Sequence, residues 1–160
     1  MAESVSSREI LPFVYTVDIS LAASGTGTKT LVLGADSEFE LYGFESRTNI
    51  DYTGNAIAYT MNGVVQTGSP AQGLASPDCF KVLIKDISTG RDLFTSALPR
   101  SLITGNAANF FIPEGYRIRF PRQNQIQFDF TSLVSVLPAG ASTLDITLAM
   151  RGYKIFGRMG

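Results

Sequence analysis

The sequence predicts an all-β fold, an antiparallel β-sandwich or barrel of about eight strands with little or no helix. Three observations carry this. Short stretches rich in β-branched and aromatic residues alternate apolar and polar side chains, the period of a half-buried strand. Turn residues separate these stretches at spacings of roughly 10 to 15 residues. No stretch keeps apolar residues at i, i+3, i+4 and i+7 over three turns with capping residues. No internal repeat points to a propeller or solenoid.

The 160 residues predict one domain. A chain of this length removes roughly two thirds of its extended surface from water and folds without staples. Residues 1–9, "MAESVSSRE", read as a polar arm. Residues 10–160 read as a single β-sandwich domain, with a Gly/Ser/Pro-rich insertion around 48–79. "LPFVYTVDISLA" (11–22) is the first strand, with strong strand formers in Val14, Thr16, Val17 and Ile19 but no clean phase. "SGTGT" turns into the short strand "KTLVLGA" (29–35). In "SEFELYGFESRT" (37–48) strict alternation sets Phe39, Leu41 and Gly43 on one face, and Glu38, Glu40, Tyr42 and Phe44 on the other.

Within the insertion, "AIAYTM" and "VVQT" flank Asn62-Gly63, a strong two-residue hairpin signal. "GSPAQGLASPD" reads as loop. "FKVLIKDISTGRDLF" is the clearest hairpin: Phe80, Val82, Ile84 and Asp86 share one face, and Gly90 supplies the turn. "PRSLITGNAANFFIPEG" (99–115) is an irregular corner. "YRIRF" (116–120), "NQIQFDFTSL" (124–133) and "LDITLAMRGYKIF" (144–156) complete the strands.

The composition narrows the chemistry. There is no histidine, which excludes Ser-His-Asp and Cys-His nucleophiles and the common His-containing zinc sites. The lone Cys79 makes no internal disulfide and reads as a small buried hydrophobe. "SGTGTKT" lacks the spacing of a phosphate-binding loop and a following helix. The carboxylates are scattered and no facing pair stands out for acid–base work. "DISTGRD" lacks the full calcium-loop pattern and reads as a plain turn. The expectation is a protein that is no enzyme, with no catalytic residues, no cofactor and no metal. The first residues show no signal pattern, and no apolar run reaches membrane-helix length, so the chain is expected to be made and kept in the cytoplasm until it assembles into something larger.

The arginines of "FFIPEGYRIRFPRQNQIQFDFTS" (110–132) raise the question of nucleic acid. Net charge is −1, which draws in no polyanion. Strand parity turns Tyr116, Ile118 and Phe120 inward and Arg117 and Arg119 outward; Ile126, Phe128 and Phe130 are inward on the next strand. The two strands are expected to pair as a hairpin, with Asp129 reaching an arginine across it. The rings are therefore core, not stacking platforms, and neither nucleic acid nor membrane is an expected partner. Arg100, Arg117, Arg119 and Arg122 are candidate subunit contacts, because arginine is enriched at protein interfaces. The arm Met1 to Glu9 and the loop 64–78 join them. Charged residues are only 17%, which fits a surface held against partners.

"KD-x-STGRDLF", "FFIPEGYRI-x-FP", the "I-x-F-x-F-T" strand and "GYKIF" together resemble a family of small virion proteins of tailed bacteriophages, and "VYTVDISLAASGTGTKTLVLGADSEFELYGF" is similar too. The resemblance covers most of the chain and carries no catalytic signature. It implies a jelly-roll-like sandwich on the outer surface of the virion. There it would be a homo-oligomeric capsid decoration or cement protein, trimeric by preference. It would bind the major capsid protein or other virion proteins and stabilise the head shell. The alternative is a collar, head-fibre or tail module that binds host-surface glycan or receptor, with Tyr42, Tyr52 and Tyr59 as candidates to stack on sugar rings.

Overall fold

The computed structural model describes residues 8–49, 57–61, 64–68, 78–104, 117–137 and 140–157. In chain order the strands are β1 (Glu9–Leu21), β2 (Thr26–Val32), β3 (Glu38–Thr48), β4 (Ile57–Met61), β5 (Val64–Gly68), β6 (Phe80–Asp86), β7 (Arg91–Asp92), β8 (Leu98–Pro99), β9 (Ile118–Phe120), β10 (Gln125–Ser132), β11 (Val134–Val136) and β12 (Leu144–Phe156). One helical turn, α1 (Arg100–Thr104), follows β8 in the predicted irregular corner. Glu9, assigned to the arm from sequence, is the first residue of β1.

The pairings are nested. β1 runs antiparallel to β12, β2 to β10, β3 to β9 and β6 to β7. The chain is thus one long antiparallel ribbon that closes at the β6–β7 turn, where Gly90 takes φ 72°. Rolling the ribbon up brings β12 against β3 and β10 against β6. The result is two antiparallel sheets, β1-β12-β3-β9 and β2-β10-β6-β7, with β8 also on β6. This rolled ribbon is the jelly roll.

Period-2 alternation puts one face of each sheet inside. β6 and β10 are buried at every second residue, including Phe80, Val82, Ile84, Ile126, Phe128 and Phe130. Phe39 and Phe120 join them from the opposite sheet, fully buried. Each such ring contributes about 1.5–3 kcal/mol of transfer free energy. Cys79 is buried, as expected, with Sγ 3.8 Å from Thr48 Oγ1. That contact closes the base of the 48–79 insertion, so its departure and return lie side by side. β4 and β5 pair with Met61 opposite Val64, as the intervening Asn62-Gly63 predicts, and β4 also pairs with β11.

Two expectations are corrected. Phe44 is buried beside the core, not outward with Tyr42. Gly43 pairs with Arg151 but Leu41 pairs with Gly152, so Tyr42 is an extra residue in β3. This bulge shifts the phase by one and turns Phe44 inward. The second correction concerns 116–133. β9 pairs with β3 and β10 with β2 and β6, so the two strands lie in different sheets. Between them the chain turns a corner with Gln123 at φ 55°. Gln123 N–H donates to the Gly34 carbonyl (3.1 Å) and Leu33 N–H to the Asn124 carbonyl (2.9 Å). Both sides of the ribbon therefore turn together. Asp129 accordingly meets no arginine; it pairs with Lys85 on β6 (3.1 Å) and accepts from Thr28 on β2 (2.9 Å). Tyr116 lies outside the described residues.

Candidate interaction surface

β1 is the edge strand of its sheet, and its first half is covered on neither face. Ile10, Pro12 and Val14 point outward. Leu11 and Phe13 have inward phase yet remain exposed, because the opposite sheet covers β1 only from Tyr15 onward. Ile10 is 55% exposed, Leu11 45%, Phe13 38% and Val14 49%. Five consecutive apolar residues in water are unusual for a folded surface. Pro12 offers no N–H to an added strand, so this edge is blunted against strand addition and invites side-chain packing instead.

The strip is anchored at its Phe13 end. Tyr15 accepts a hydrogen bond from Gly34 N–H (2.9 Å), and Phe13, Tyr15 and Phe39 form edge-to-face contacts at 4.7 and 5.0 Å. Lys154 Nζ lies 4.1 Å from the Phe13 ring centroid and 3.4 Å from Asp36. Partial burial pushes the Asp36 carboxyl up, but its backbone hydrogen bond and Lys154 more than offset this and hold it below the usual carboxylate range.

Pro12, Phe13 and Val14 of the strip line one side of a cleft of about 360 Å³ on the outer face of β1, β12 and β3. The bulge creates it. Gly43 leaves the floor bare on this face, while Tyr42 and Tyr153 meet edge to face at 87° with centroids 6.4 Å apart. Gly152 has no alternative: a Cβ there would sit 2.0 Å from the Glu40 carbonyl oxygen. Gly43 faces open space, with nothing within 4 Å of its added Cβ. Arg151 and Glu45 form an ion pair on the same floor.

The four predicted arginines do not converge. Arg119 Nη2 is 3.1 Å and Nη1 3.6 Å from the carboxylates of Glu40 and Glu38 on β3, respectively. Arg117 lies 3.6 Å from Glu40 and sits over the Tyr42 ring, 4.3 Å from its centroid. Arg122 is at the corner after β9, beside Gly157. Arg100 begins α1, next to the other sheet. On the outer face, Arg117, Arg119 and Arg151 are matched by Glu38, Glu40 and Glu45, so this surface is electrically balanced.

Further along the same face, a polar ladder replaces the apolar strip. Thr147 donates to Asp18, Ser20 to Asp145 (2.7 Å), and Asp145 N–H to Asn49 Oδ1 (3.0 Å). Compared with protein-family models, with curated proteins and with solved structures, the chain finds no match. Among the described residues, no group of three or more His, Cys, Asp or Glu side chains could hold a metal ion, and no helix is long and apolar enough to cross a membrane.

Sequence reasoning named Tyr42 but not Tyr153, Arg151 or Glu45. The available signal was a glycine next to a tyrosine, with a charged residue within two positions, in both "YGFE" and "RGY". The lack of phase over residues 10–14 was the signal for the apolar strip. Tyr52, the side chain of Tyr59, most of the arm and most of the 64–78 loop lie outside the described residues.

Proposed function

We propose that the protein is a non-catalytic structural subunit of a tailed-phage particle, a decoration or cement protein that binds and stabilises the head shell. One observation carries the assembly part of this reading: the strip Ile10–Val14, apolar and exposed on both faces of an edge strand. Its burial against a neighbouring virion protein would remove apolar area from water at about 25 cal/mol per Å². The balanced charge around it adds no repulsion, and is compatible with copies of the chain meeting one another as a homo-oligomer. The virion context and the capsid partner rest on the motif resemblance.

Reattachment to particles lacking the protein tests this. The wild-type chain should add back at saturable copy number and raise the temperature at which the particles release their genome. Ile10→Glu/Leu11→Glu should stay in the supernatant while keeping its melting temperature. Equal attachment by the variant would remove the strip from the interface, and failure of the wild type to attach would overturn the reading.

A further inference from the structure

We propose that the cleft lined by Tyr42, Gly43 and Tyr153 is a binding site for an uncharged saccharide. The inference goes beyond the structural role, because it uses the sheet face and not the Ile10–Leu11 part of the strip.

A pyranose ring has an apolar C–H face and a rim of hydroxyls that both donate and accept. A site for it needs a flat wall and, within reach, paired donors and acceptors. The cleft has both. Tyr42 and Tyr153 meet at a right angle, and Arg117 stacked on Tyr42 holds that ring in place. Arg151 supplies a fork of N–H donors, and Glu45 accepts only. Neighbouring hydroxyls of one sugar can satisfy such a pair together. The two charges cancel, so the site favours neither an anion nor a cation. A volume of about 360 Å³ lies at the lower end of the roughly 300–1,000 Å³ of ligand sites, room for one or two sugar rings.

Gly43 adds a feature that packing does not explain. Its added Cβ would meet nothing within 4 Å and its φ is not in the left-handed region, so a larger residue would fit the fold. A glycine there keeps the floor of the cleft open. The same position gives a clean test.

The experiment is calorimetric and NMR titration of the full chain with cellotriose, maltotriose, chitotriose and a panel of bacterial surface oligosaccharides. Saturable binding by at least one is expected. Gly43→Leu, which fills the floor, and Tyr153→Ala, which removes a wall, should each weaken it at least about tenfold, roughly 1.4 kcal/mol. Ile10→Glu/Leu11→Glu should bind the sugar as the wild type does, which separates this result from the assembly test. No saturable binding across the panel would overturn the proposal. So would sugar binding that Gly43→Leu leaves unchanged. If Gly43→Leu abolishes particle attachment while no sugar binds, the cleft is a protein contact and the saccharide site is refuted.

Discussion

Asn124 donates its side-chain amide to the carboxylate of Asp86 at 2.8 Å, joining the β6–β7 turn to the corner where the chain changes sheets. Both residues are about 1% exposed. Asp86 also accepts from Thr89 N–H (3.2 Å) and has the Arg91 guanidinium 3.8 Å away. A buried carboxylate in a sandwich core is tolerable only because these groups surround it. Asn124→Ala removes one donor and leaves Asp86 buried with less compensation. The expected loss is about 1–3 kcal/mol. At this chain length, that lowers the melting temperature by about 2–4 °C per kcal/mol, and urea titration checks it.

The same carboxylate makes stability depend on acid. Burial alone raises the Asp86 pKa, but the hydrogen bonds from Thr89 and Asn124 and the charge of Arg91 outweigh it, and the folded value lies below 3.8. A depressed folded pKa means that the unfolded chain takes up the proton first. The stabilisation is present above the unfolded value and is lost as pH falls through the folded one. Asp129, held down by Gln127, Thr28 and Lys85 against its own burial, acts in the same sense. The urea midpoint should be flat from about pH 7 to 5 and fall below about pH 4. Asp86→Asn should be less stable at neutral pH, with a shallower fall in acid. A midpoint that rises below pH 4 would contradict this assignment.

The parity of β6 and β10 was legible in the sequence because each strand buries one face along its length. Two other features were not. Whether 116–120 and 124–133 form a hairpin or cross between sheets leaves their parity unchanged. Partners distant in sequence, Leu33 and Gly34, decide it. Phe44 was misplaced because its phase depends on a bulge, and the bulge depends on Gly152 in another strand. The cleft inherits the same obscurity, since it exists only where those two strands slip by one residue.

The two cleft glycines should respond oppositely to one methyl group. In Gly152→Ala the new Cβ would meet the Glu40 carbonyl oxygen and the Phe39 ring, 2.0 and 2.7 Å away. Backbone cannot rotate aside as a side chain can, so β3 must move. The cost is at least about 1–3 kcal/mol. In Gly43→Ala the methyl group meets open space, and the change should stay within about 0.5 kcal/mol. Parallel denaturation curves check both. Equal stability for the two variants would argue against the bulge geometry.

Arg117 and Arg119 test the outward face. Their ion pairs with Glu38 and Glu40 are open to solvent, and such pairs contribute about 0–1 kcal/mol each. Arg117→Ala/Arg119→Ala should therefore keep the fold, with a small loss that shrinks further in salt. The double variant leaves Glu38 and Glu40 unmatched, so the outer face becomes acidic. If that face meets another subunit, attachment to particles should weaken far more than stability does. Thermal melting and particle reattachment, measured side by side, separate the two effects. Outright unfolding would mean that these arginines hold the core, against the parity of β9.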